Sequence, residues 1–106
     1  MTQATLENVT LTLKANIYFD GGVVSHTITA PGAPRRSVGI IRKGAYDFGT
    51  DAAERMDIIA GSCRVKLAGA KDWQTITAGA GFDVPAKSRF DIVVDEGSAE
   101  YLCTYG

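Results

Sequence analysis

Apolar and polar residues alternate along this chain with a period of two, and no stretch of 11–18 residues holds a 3.6-residue period. Cys63, Val65 and Leu67 alternate with Arg64 and Lys66, and Phe90, Ile92 and Val94 lie opposite Arg89, Asp91 and Asp95. Tyr46, Phe48 and Thr50 alternate with Asp47 and Gly49, while Phe82 and Val84 flank Asp83. Each pattern is that of a strand with one buried face and one wet face. Further strands are predicted at residues 23–29, 37–42, 56–59, 73–77 and 101–105, with a weaker alternation at 6–13. Residues 51–55 read as a single helical turn at most. Gly61, between Ala60 and Ser62, reads as a hairpin turn because glycine accepts positive φ. Residues 68–72 read as a longer loop, closed by Asp72 and Trp73, with Trp73 anchoring it to the barrel. Pro85 ends a strand because it lacks a ladder donor. Residues 30–36 are the most loop-like segment. Short strands separated by 12 glycines and 3 prolines predict one all-β barrel or sandwich.

Composition narrows the class. The 106 residues suit one domain, and 45% hydrophobic with 22% charged residues is ordinary for a folded globular chain. A net charge of −1 gives no footprint for a nucleic-acid backbone or an anionic lipid surface. No apolar run approaches the ~20 residues of a membrane-spanning helix. The first nine residues lack the cationic start and apolar core of a secretory signal, so a cytoplasmic location is expected. There Cys63 and Cys103 stay reduced and read as small buried hydrophobes. Two cysteines and one histidine cannot build a four-ligand zinc site from those residue types alone.

Between Gly44 and Phe90 the spacing resembles a cupin. Gly44-x-Tyr46-x-Phe48-x-Thr50, Glu54-x-Met56 and Gly61 match the first cupin motif, and Gly79 with Pro85 matches the start of the second. The metal-binding histidines of that family read here as Phe48, Thr50 and Phe90. A closer resemblance is to the small single-domain cupins of the pyrimidine/purine nucleoside phosphorylase family, formerly a domain of unknown function. It is carried by Asn16-x-Tyr18-Phe19, Gly22-x-Val24, Arg35-x-Ser37-Val38-Gly39 and the Gly44–Gly61 pattern. Asp72-Trp73-Gln74, Gly79, Phe82, Val84-Pro85, Ser88-x-Phe90 and Tyr101-Leu102-Cys103 complete it. Residues 1–15 read as an N-terminal extension, either an extra strand or a flexible segment, and 16–106 as the cupin domain. The resemblance implies a small conical β-barrel or jelly-roll sandwich and a homodimer. It also implies phosphate-dependent cleavage of purine and pyrimidine nucleosides to a free base and a pentose 1-phosphate. Nucleoside and inorganic phosphate would be the only partners, with no metal, nucleic acid or membrane.

Phosphorolysis passes through an oxocarbenium-like transition state, which calls for a positioned phosphate, hydrogen bonds to the pentose and help for the leaving base. Glu54 is the candidate catalytic residue. If its strand continues, it points the same way as Met56 and Ile58, a costly place for a carboxylate without a partner. It would grip the pentose hydroxyls or donate a proton to the base; the competing reading is an exposed residue at the strand mouth. Tyr46, Phe48 and Phe90 are candidates to stack on a base, against the alternative of ordinary core aromatics. Arg35 and Ser37 are the candidates for phosphate, Arg35 preferred to Arg36 through the resemblance, with Ser88 and Arg89 a weaker second site. Tyr18, Tyr101 and Tyr105 read as rim or interface residues, and His26 as a surface or strand histidine. Two other functions remain open: a metal-free cupin that binds a nucleoside or sugar phosphate without turnover, and a metal enzyme using Glu54 and Asp57. Strand alternation sets Glu54 and Asp57 on opposite faces and disfavours the second.

Overall fold

A computed structural model of the chain describes residues 5–106; the first four residues of the expected extension lie outside the described residues. Its strands are β1 (Thr10–Leu11), β2 (Asn16–Tyr18), β3 (Val23–Thr29), β4 (Arg36–Gly49) and β5 (Glu54–Ala60). After them come β6 (Ser62–Leu67), β7 (Gln74–Thr77), β8 (Gly81–Val84) and β9 (Arg89–Tyr105). Pairing is antiparallel throughout. The weak alternation at 6–13 yields only the two residues of β1, which lie against Ile28 and Thr29.

Two of the expected strands fuse with their neighbours. Residues 37–42 and 46–50 belong largely to β4, and 90–94 and 101–105 to β9. At ~3.3 Å per residue β9 would reach about 55 Å if straight. The molecule's longest extent is 39 Å, so the strand must bend. The bend occurs where β4 and β9 lose register: Arg42 faces Ser98, but Gly44 faces Val94. Lys43 on one strand and 95–97 on the other are the unpaired surplus. Extra residues of this kind increase local twist and carry a strand from one packed layer to the next. They also change which residues point inward. Ile41 is buried before the bend and Phe48 packs on the core after it, while β9 buries Ile92 and Val94 and then Ala99, Tyr101 and Cys103.

A third strand pair turns at the same level. β5 lies along the Tyr101–Tyr105 half of β9 and β6 along the Phe90–Val93 half. The expected hairpin at Gly61 is therefore a corner: β5 and β6 follow one another along β9 rather than pairing together. Gly61 does have positive φ (76°), and a Cβ there would collide with the Ser98 carbonyl oxygen. The inward set changes from Met56 and Ile58 to Cys63 and Val65 across it.

The expected helical turn at 51–55 is absent, because Asp51 and Ala52 form a bend and Glu54 already pairs with Val84 and Tyr105. Among the described residues the helical element is a 3-10 turn at Phe19–Gly21. Trp73 is 41% exposed beneath the Arg64 guanidinium, so it covers the outside of the barrel more than it anchors a loop.

Candidate active site

Inside the bent sheet lies a cavity of about 250 Å³, just below the ~300–1,000 Å³ typical of drug-sized sites. Its apolar lining includes Ile41, Met56, Phe48 and Phe90. Phe48 and Phe90 are direct partners across β4 and β9, their rings stacked with centroids 5.6 Å apart. Its polar lining includes Arg35, Glu54, Cys103, Tyr105, Tyr101 and Ser25. β9 supplies three of these because Tyr101, Cys103 and Tyr105 alternate inward.

Glu54 opens β5, facing inward with Met56 and Ile58, and is half-buried. Its Oε1 accepts a hydrogen bond from the Cys103 thiol at 3.6 Å. Burial raises the Glu54 pKa above its ordinary value of 4.5; the thiol and the charge of Arg35 pull the other way without cancelling it. The Cys103 thiol itself is pushed up to about 12, chiefly by burial, and so stays a neutral donor. Cys63, also free, is buried and pushed up to about 11.

Arg35 lies just before β4, where its carbonyl accepts the Tyr105 amide at 3.0 Å. Its guanidinium rests 4.2 Å from the Tyr105 ring centroid, a cation–π contact that aims it at the cavity. The Tyr105 hydroxyl is 3.0 Å from the Ser37 hydroxyl, and burial pushes its pKa up to about 12. Among the described residues that line the cavity, Arg35 is the one cation and Glu54 the one carboxylate.

Four sequence-predicted residues, Arg35, Phe48, Glu54 and Phe90, thus share one cavity. Ser37 stands one contact behind it, through Tyr105. Tyr46 does not line it: its hydroxyl donates to the carbonyls of Arg42 (2.9 Å) and Lys43 (3.2 Å), and its ring presses on Gly22 and Gly44. Arg36 lies on an outer surface with Thr5, Leu6 and Glu7. Ser88 and Arg89 are engaged elsewhere, the Ser88 amide donating to Thr50 and Arg89 pairing with Asp47 at 2.6 Å. His26 meets the Thr12 carbonyl at 3.1 Å. Tyr18, Tyr101 and Tyr105, expected at a rim or an interface, all line the cavity, as does Cys103. The alternation Tyr101-x-Cys103-x-Tyr105, in step with buried Ala99, is the signal in the sequence that points to them.

Of the three cupin ligand positions, Phe48 and Phe90 stack on each other and line the cavity. Thr50 is consumed by the loop after β8, donating to the Pro85 carbonyl at 2.7 Å and accepting from Ser88. Asp57 sits on the opposite face of β5 from Glu54 and accepts from Arg55 at 3.1 Å, so the two carboxylates do not form a joint ligand set. Among the described residues no three His, Cys, Asp or Glu side chains are grouped to hold a metal.

Comparison with known proteins supplies the family. A protein from Burkholderia ambifaria (strain MC40-6) named pyrimidine/purine nucleoside phosphorylase is 53% identical over 106 residues, covering 99% of each chain. The crystal structure of a protein of unknown function from Acinetobacter sp. ADP1 superposes with a TM-score of 0.93 at 36% identity, covering 98% of this chain and 100% of that one. A tryptophan-to-phenylalanine variant of oxalate decarboxylase from B. subtilis superposes at 0.74 with 18% identity, over 98% of this chain and 30% of that one. That likeness shows the fold, which is the all-β cupin fold. A sequence model described as pyrimidine/purine nucleoside phosphorylase matches residues 13–105, and the chain belongs to that family.

Proposed function

We infer that this protein cleaves purine and pyrimidine nucleosides with inorganic phosphate, releasing the free base and a pentose 1-phosphate. The carrying observation is that Arg35 and Glu54, the one cation and the one carboxylate among the described lining residues, share a cavity with Phe48 and Phe90. Arg35 offers a planar fork for phosphate, with the Tyr105 phenol, partnered by Ser37, as a neutral neighbour. Glu54 accepts hydrogen bonds from the pentose hydroxyls, and its carboxylate stabilises the positive charge that grows on the pentose. A phosphate oxygen bonds to the anomeric carbon as the carbon–nitrogen bond breaks. The bonding pair leaves with the base, which ends up carrying the proton of hydrogen phosphate. Apolar Met56, Ile41 and Phe90 limit water, which would otherwise compete as nucleophile. The chemistry needs no cofactor beyond phosphate.

The experiment is incubation of the full chain with adenosine, inosine and uridine, with and without phosphate, before and after chelator treatment. Phosphate-dependent base release that survives the chelator is the expected result. Saturable nucleoside binding without product would replace this reading with a binding protein. Release lost on chelation would point to a metal enzyme. We also propose a cytoplasmic homodimer, supported by an outward row of apolar residues, Ile17, Val24 and Ile40, in register across β2, β3 and β4.

A further inference from the structure

Beside the cavity, two successive residues between β2 and β3 hold the backbone in an unfavourable region. Phe19 and Asp20 have φ of 52° and 53°, the left-handed region that side chains with a Cβ avoid. Two adjacent residues stay there only where their surroundings over-determine them. Here they do. The Phe19 ring packs on Tyr46 and Phe48, with centroids 5.1 and 5.4 Å away. The Gly22 carbonyl accepts the Arg42 amide at 2.8 Å, and the Tyr46 ring fills the space a Gly22 Cβ would need. Tyr46 is itself tied by its hydroxyl to the carbonyls of Arg42 and Lys43.

What this set of contacts presents is Tyr18. Its ring meets Phe48 at 6.1 Å and 81° on the cavity wall and remains 44% exposed. Tyr18 and Tyr101 line the same cavity. Phe48 and Phe90, by contrast, are stacked on each other, and Phe90 is only 4% exposed with Phe82 at its edge. Their surface is largely committed to the core. Among the described aromatics that line the cavity, Tyr18 is the exposed one.

We propose that the nucleobase stacks on Tyr18, and that Tyr46 is a positioning residue that holds Tyr18 in place through Phe19 and Gly22. The proposal rests on the phosphorylase reading and names the residue that holds the base. Every base has a π face, so a single ring serves purines and pyrimidines alike.

Steady-state kinetics with uridine and inosine, varying nucleoside and phosphate separately, test it. Tyr18→Ala should raise the nucleoside KM about tenfold or more, the scale of one lost base–aromatic stack, and leave the phosphate KM within about twofold. Tyr18→Phe should restore the nucleoside KM. Tyr46→Phe, which removes only the tether to Arg42 and Lys43, should raise the nucleoside KM with little change in kcat. An unchanged nucleoside KM in Tyr18→Ala, or an equal rise in both KM values, overturns the assignment. If Tyr18→Ala fails to fold, Tyr18→Leu fills the same space without a π face and carries the same expectation. Should the wild type release no base, the phosphorylase reading fails on its own, and calorimetric binding of inosine decides the stacking question. Weaker binding by Tyr18→Leu then supports it; equal affinity, or no binding by the wild type, overturns it.

Discussion

Under the proposed chemistry Glu54 works under opposing demands, because its carboxylate serves the pentose and is costly to the fold. Burial raises its pKa, so the folded protein binds that proton more tightly than the unfolded chain does. The resulting stability is complete below the ordinary value of 4.5 and is lost as pH rises through the raised folded value. Glu54→Gln is neutral at every pH. The melting temperature of the wild type should therefore fall relative to Glu54→Gln as pH rises from 4.5 through the raised folded value and then run parallel; a constant difference as pH rises from 4.5 would remove burial as the cause. The same variant should lower kcat/KM at least about tenfold, ~1.4 kcal/mol of barrier. If Glu54 instead gives a proton to the base, kcat will fall as pH rises through the raised pKa. For Arg35→Ala the expected signature is different: a phosphate KM raised about tenfold or more, with nucleoside KM little changed. At this scale the sequence is legible where alternation sets direction. Glu54 shares the phase of Met56 and Ile58, so its inward aim can be read directly. Tyr46 shares the phase of Phe48 as well, yet it lies beside the register slip at Gly44 and is drawn onto Gly22 and the Arg42 carbonyl. Period two reports a face and says nothing of what a neighbouring segment brings to it.

Strands are easier to detect than to connect. Alternation finds the residues of β4 and β9, but a break in phase reads in sequence as a gap between two strands. In space it is one strand with unpaired residues at Lys43 and at 95–97. Gly61 misleads for a related reason: glycine at positive φ serves a hairpin or a corner equally well, and only the partner strand distinguishes them. Gly61→Ala tests the corner. The left-handed backbone costs a Cβ-bearing residue about 1–2 kcal/mol, and the clash with the Ser98 carbonyl adds to it. Denaturant unfolding should show a loss of at least that size. A loss below ~0.5 kcal/mol, ordinary for a surface substitution, would mean the corner relaxes freely.

The whole molecule carries charge and apolar surface unevenly. Arg55 with Asp57 and Asp83, Arg64 with Asp95, and Arg89 with Asp47 pair on exposed faces, where salt screens them and their contribution is small. Ile17 and Ile40, 65% and 46% exposed in one cross-strand row, are the contrasting feature. Sedimentation should give a dimer for the wild type and a monomer for Ile40→Lys; a monomeric wild type would sink the dimer proposal. The barrel itself is legible from strand spacing, whereas a surface row such as this one needs the register of three strands before its members become neighbours. The phase change in β4, in β9 and at Gly61 has one more consequence. Each is a half-period offset between the two ends of the barrel. A single inserted or deleted residue at the β4 bend would exchange the wet and buried faces of the rest of that strand, turning Asp47 inward in place of Phe48, and one at 95–97 would turn Leu102 inward in place of Cys103. Chain length at the bends is therefore quantised in pairs, and variation in loop size is tolerable there only in steps of two.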